Sequence, residues 1–163
     1  MKNSNKILYS VSGNIAILTI NRPERRNALD AETLEQINIL LDRAESDEKV
    51  RVILITGQGD TFSSGFDLKD QMEKDPQGKQ WKPILELDYQ TIMRFWNSPK
   101  PTIAAVKWAC LAGAFELSLA CDITICSRDS FFGEPELKFG AGIVTMLLPW
   151  VIGIKAAKKI ILC

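Results

Sequence analysis

Histidine is absent from the chain, and that absence removes Ser/His and Cys/His nucleophilic machinery together with most zinc sites. Acid–base chemistry is left to carboxylates, Lys, Tyr or Cys. The four cysteines, Cys110, Cys121, Cys126 and Cys163, form no CxxC pair and lie in apolar stretches. They predict reduced, buried thiols in a cytosol-like compartment and no metal centre. No stretch gathers Lys and Arg into a block, and 20 basic residues balance 20 acidic ones, so neither nucleic acid nor a membrane is expected as a partner. Long apolar runs are missing too: MKNSNKILYS has no apolar h-region, and IVTMLLPWVIGI is short and interrupted by Pro149. Neither predicts a signal peptide or a bilayer span. What remains is 163 residues, 46% hydrophobic and 25% charged, enough for one domain with a real core acting on a small molecule.

The apolar pattern divides this chain into alternating elements. IAILTI (15–20) reads as a strand, and NRPERRNALD turns the chain into a helix capped by Asp30, with Leu34, Ile37, Leu40, Leu41 and Ala44 on one stripe. RVILIT (51–56) is a near-continuous β-rich run that predicts a strand covered on both faces. After TFSSGFD, the segment DQMEKDPQGKQWK, with Pro76 and Gly78, predicts a flexible surface excursion. A helix over 84–96, a strand over 102–106, a helix over 113–120 and a strand over 123–126 complete an α/β order with crossover connections. No internal repeat or low-complexity tract is visible. The four tryptophans, Trp81, Trp96, Trp108 and Trp150, are assigned to packing.

Between Ile103 and Cys126 the only charges are Lys107, Glu116 and Asp122. Asp122 falls where the helix should end, and a solvated cap accounts for it. Glu116 falls inside what reads as a buried helix, where an ionised carboxylate is costly without partners. Gly113 opens that helix, and amide N–H groups there lack intrahelical acceptors and favour negative charge. The loop SSGFD, after a buried strand, offers a second free N–H because Gly65 permits unusual backbone angles. Two converging N–H groups would make an oxyanion hole. Downstream, FFGEPE sets Glu134 and Glu136 on either side of Pro135, and paired carboxylates move protons where histidine is lacking. Glu116 paired structurally with Lys107 or a backbone group, and Glu134 as a structural or pocket-lining acid, stand beside the catalytic reading.

Four stretches, LTINRPERRNAL, TFSSGFDL, KPTIAAVKWACLAGAFELSLACD and FFGEPELKFG, occur in the order found in the crotonase, or enoyl-CoA hydratase/isomerase, superfamily, and the chain resembles that superfamily over nearly its whole length. The resemblance implies a crotonase-like spiral of ββα units binding an acyl-CoA thioester, with the backbone N–H groups of Phe66 and Gly113 as the oxyanion hole. It implies that Glu116 orients and activates water, that Glu136 exchanges the α-carbon proton, and that the two titrate as a pair. Arg25, Arg26, Ala28, Ser64, Gly65, Asp67 and Leu68 become expected substrate or CoA contacts, Asp67 and Leu68 on the adenine and pantetheine side. No metal or cofactor is implied beyond the coenzyme A of the substrate. Hydration of a 2-enoyl-CoA is the expected reaction, with double-bond isomerisation or a non-catalytic thioester-binding or assembly role as alternatives. Trp108, Ala112 and Ala114 stand where the family commonly has glycine, and LKFGAGIVTMLLPW lacks its frequent glycine-rich turn, so the acyl end of the pocket should differ. Finally, the amphipathic IGIKAAKKIILC stops without a helix stop signal. Family chains continue into helices that cover the site and mediate assembly, which implies a fragment whose functional form is a homo-oligomer, a trimer or hexamer.

Overall fold

The computed structural model describes residues 5–163. Strand β1 (Ile7–Ser12) pairs antiparallel with β2 (Ile15–Ile20) across a turn at Gly13. Then β3 (Val52–Gly57), β4 (Thr102–Val106) and β6 (Ile123–Cys126) add in parallel, in the order β1-β2-β3-β4-β6. Parallel neighbours need crossovers, and α1 (Ala31–Ser46) and α3 (Trp81–Trp96) supply helices for them. The buried sides of the strands (Ala16, Leu18, Ile20, Ile53, Ile55, Ala104) join Leu34, Ile37 and Leu41 of α1 and Ile92 and Phe95 of α3 in one core cluster. Asp30 caps α1, accepting from the Thr33 N–H at 2.9 Å, and its second oxygen meets Lys6 at 2.6 Å.

A second layer organises the site. β5 (Ala109–Leu111) pairs in parallel with β7 (Phe131–Gly133), and single parallel bridges join Leu29 to Phe66 and Ser63 to Cys110. Each large-sheet strand from β2 onward is therefore followed by a short extended segment of this layer. A helix or turn comes next: α1, α2 (Leu68–Lys74), α4 (Gly113–Ala120) and the 3-10 turn Glu136–Phe139. This repeated strand, short strand, helix progression is the ββα spiral. The short strands are too brief to carry a two-residue period, so the sequence pattern passes over them.

Several local expectations are corrected. Part of the segment read as a surface excursion is helix α2, capped by Asp67, and α3 begins at Trp81, three residues early. β3 is buried on one face only, with Val52, Leu54 and Thr56 half-buried. β1 went unread because, as a sheet-edge strand, it keeps only Ile7 buried. Asp122 pins a strand rather than capping a helix: Thr102 donates to it from its backbone N–H at 2.7 Å and from its hydroxyl at 2.8 Å. Cys110 and Cys121 are buried, but Cys126 and Cys163 are exposed. Trp96, Trp108 and Trp150 are exposed rather than packed. No helix among the described residues is long and apolar enough to cross a membrane.

Candidate active site

Two loops of the second layer meet. In the first, Leu29 donates to the Gly65 carbonyl at 2.8 Å and accepts from Asp67 N–H at 2.9 Å. That leaves the intervening Phe66 N–H without an acceptor among the described residues. In the second, Ala112 adopts the left-handed φ of 55° and its carbonyl takes the Phe115 and Glu116 N–H groups. Gly113, the first residue of α4, therefore also keeps a free N–H. The contact between the loops demands glycine on both sides. A Cβ on Gly65, whose φ is +91°, would lie 2.6 Å from the Ala112 Cβ and 3.2 Å from the Gly113 nitrogen. A Cβ on Gly113 would lie 2.3 Å from the Phe66 ring.

Three buried carboxyl groups gather nearby in the chain's fold, Glu116 on α4 and Glu134 and Glu136 just after β7. Oxygens of Glu116, Glu134 and Glu136 are within 4.8 Å of one another, and the residues are 1%, 3% and 8% exposed. Glu116 accepts from the backbone N–H groups of Val144 at 2.8 Å and Thr145 at 2.6 Å, and from the Thr145 hydroxyl. Its partners are thus backbone and Thr145, and among the described residues it forms no ion pair with Lys107. Both Glu134 oxygens and Glu136 Oε2 are buried without a donor among the described residues. Burial, then the charges of Glu136 and Glu116, raise the Glu134 carboxyl far above the ordinary range. Burial also raises Glu136, with Glu116 adding to it. Burial thus favours a proton on Glu134, the group raised further, with Glu136 and Glu116 beside it. Three carboxylates at this spacing also have the oxygen set of a hard-cation site; a proton on Glu134 lowers the charge that the cluster carries.

Glu136 lines a cavity of about 420 Å³, together with Phe66 and Ala112 from the amide loops and Leu68, Trp81 and Leu85 from α2 and α3. A wider groove of about 570 Å³ adjoins it and shares Ser64, Phe66, Leu68 and Pro135. Arg25, Arg26, Ala28 and Asp67 line that groove, and Lys69 adds a further cation. Asp67 is engaged structurally: Arg22 reaches it at 3.0 Å and Arg25 at 3.1 Å, and it caps α2. Burial alone would raise its carboxyl, but the Asp70 N–H and the two guanidiniums hold it below the ordinary value. It shapes the groove as a buried ion-pair hub, with its oxygens already spoken for.

Two polar residues of the cavity were not foreseen. Gln71 of α2 and Asp88 of α3 line it, and Asp88 is buried with Oδ2 lacking a partner. Asp88 sits on the stripe that buries Thr91, Ile92 and Phe95, a charge inside an apolar helix face. The signal that singles out Glu116 was therefore present here too. Thr145 carries no such signal; only the fold brings it to Glu116, 29 residues away.

Two touching loops, each with an unbonded amide, thus stand at a cavity lined by Phe66, Ala112 and the buried carboxyls of Glu136 and Asp88. The enoyl-CoA hydratase/isomerase family model matches residues 10–163, and the chain belongs to that family. A short-chain-enoyl-CoA hydratase from Clostridium acetobutylicum is 32% identical over 164 residues, covering 96% of this chain and 61% of the relative. The crystal structure of an enoyl-CoA hydratase/isomerase from Xanthobacter autotrophicus Py2 superposes with a TM-score of 0.96 at 60% identity, covering 97% of this chain and 59% of that one. An enoyl-CoA hydratase from Bacillus anthracis superposes with a TM-score of 0.91 at 27% identity, covering 97% and 62%. The fold is that of the crotonase superfamily, and the chain spans about three fifths of the length of these relatives.

Proposed function

We propose that the site adds water to the double bond of a 2-enoyl-CoA, and that the coenzyme A of the substrate is the only cofactor-like group involved. The observation that carries this reading is the contact of two loops with unbonded amides, Phe66 and Gly113, at a cavity lined by Phe66, Ala112 and Glu136, with buried Glu116 within 4.8 Å of Glu136. The thioester oxygen accepts from both amides, which stabilise the charge that develops as water adds at C3. Ionised Glu136 takes a proton from the water as the C3–O bond forms and delivers it to C2, so that the carboxylate is restored, and Glu116, held by the 144–145 backbone, orients the water. CoA lies along the groove, its phosphates toward Arg25, Arg26 and Lys69, its pantetheine arm past Ala28, Ser64 and Leu68, with Gly65 letting the Phe66 amide approach. The test is loss of the conjugated enoyl thioester absorbance, with product identification. A 3-hydroxyacyl thioester supports hydration, and an intact double bond across a panel of chain lengths overturns it.

One observation favours a second reading, double-bond isomerisation. Glu116 already accepts three hydrogen bonds, whereas Glu136 keeps an oxygen without a donor. A shuttle that moves one proton between C2 and C4 needs only that one free carboxylate. Interconversion of 3-enoyl and 2-enoyl thioesters without hydroxyacyl product is the result that would select it.

A further inference from the structure

The Glu116, Glu134 and Glu136 cluster and the two amides account for the reacting end of the cavity but leave Asp88 unused. Asp88 stands on α3, 4% exposed, and its Oδ2 is buried without a hydrogen-bond partner among the described residues. It lines the 420 Å³ cavity and also a second one of about 260 Å³ on the far side, and Gln71 lines both as well. The two polar side chains therefore form part of the partition at the α2 and α3 wall, whereas the other residues named from that wall, Leu68, Trp81 and Leu85, are apolar or aromatic.

An orphaned buried carboxyl is a cost that a hydrocarbon acyl chain cannot relieve, since it removes water from the group and offers nothing in return. A chain bearing a hydroxyl relieves it, with the substrate O–H donating to Asp88 and the hydroxyl oxygen free to accept from the Gln71 amide. Discrimination of this kind is strong because the analogue lacking the hydroxyl leaves the protein group unpaired.

We propose that Asp88, with Gln71 beside it, is a specificity-determining residue that selects acyl groups carrying a hydroxyl beyond the reacting carbons. The inference rests on the acyl-thioester reading of the cavity. It does not depend on which reaction follows.

Binding of non-reacting ligands separates the two readings. Short saturated acyl-CoA thioesters with a terminal hydroxyl are titrated calorimetrically against their unsubstituted parents, using the wild-type chain, Asp88→Asn and Asp88→Leu. The expected result is wild-type preference for one or more hydroxylated members by roughly tenfold or greater. Asp88→Leu is expected to erase or invert that preference, and Asp88→Asn, which keeps hydrogen-bonding capacity at the same size, to retain part of it. Equal binding of every hydroxylated ligand and its parent by the wild type overturns the inference while leaving thioester binding intact. A preference that survives Asp88→Leu overturns its assignment to Asp88. Absence of binding by any thioester overturns this inference and the acyl-thioester reading together. Hydroxyl-selective binding without turnover on enoyl substrates counts against the proposed reaction alone.

Discussion

At the scale of single residues, the site is a problem in placing protons among buried carboxyls. Glu136→Gln removes the one glutamate with a donor-free oxygen on the cavity and should lower turnover by about 10²–10⁴-fold with little change in thioester affinity; steady-state rates beside calorimetric affinity check it. Burial favours a proton on Glu134, and we expect Glu134 to offer it to neighbouring Glu136, which favours ionised Glu136. Glu134→Leu deletes that donor, so Glu136 protonates more readily and the acidic limb of the kcat/KM profile moves to higher pH. Glu134→Gln keeps a donor and should leave the limb near its wild-type position. A pH–rate profile that is identical for both variants would reduce Glu134 to packing. For Asp88 the consequence falls on stability. Burial, with Glu116 adding, raises its pKa from 3.8 to about 7, so between those values the folded chain holds a proton that the unfolded chain has released. Its contribution is fully present below about pH 4 and is lost as pH rises toward about 7, at no more than roughly 1.4 kcal/mol per pH unit. Denaturant titrations of wild type and Asp88→Asn across that window should diverge, with the variant showing the flatter curve.

Elements meet at two joints, and each is set by a residue with no functional side chain of its own or with a hydroxyl facing backward into the fold. The first is the glycine contact. Gly113→Ala keeps its N–H, yet its Cβ would fall on the Phe66 ring and displace the loop that carries the other amide. Misplacement on the order of 1 Å can cost about 10²-fold in rate, so activity should fall by that order while the chain stays folded. Kinetics together with circular dichroism decide this, and an alanine variant of wild-type rate would detach the two amides from catalysis. The second joint is the segment 144–145, bound to Glu116 by two amides and a hydroxyl. Thr145→Val preserves shape but removes the hydroxyl donor; hydrogen bonds to charged groups are worth about 1.5–3 kcal/mol, and the thermal midpoint should fall accordingly.

For the whole molecule, the unresolved balance lies on the surface. β6 is the edge of the large sheet with Ile123 and Ile125 exposed, and Trp150, Ile154 and Leu162 are exposed on α5 (Leu148–Ile152) and α6 (Ile154–Leu162). An uncharged edge strand beside exposed apolar helices favours association. We expect a concentration-dependent homo-oligomer by light scattering, weakened by Ile123→Lys combined with Ile125→Lys. A monodisperse species of 18.2 kDa at every concentration would contradict this.

The sequence by itself determined those features that depend on near neighbours. Apolar runs and helix periods placed β2, β3, β4, β6 and the larger helices; burial of one face imposes that repeat on β2, β3, β4, α1 and α3, whereas β6 is exposed throughout and α4 is buried nearly all round. A charge out of place in an apolar pattern marks Glu116, and Asp88 stands in the same position on the buried stripe of α3. The ordered motifs carried the family. Tertiary structure alone decided what depends on residues distant in the chain: Thr145 rather than Lys107 at Glu116, Arg22 and Arg25 on Asp67 across more than forty positions, and the gathering of Glu134 and Glu136 with Glu116. A carboxylate's partner and protonation follow from what the fold brings within a few ångströms and from how much water it removes, and no local pattern encodes either.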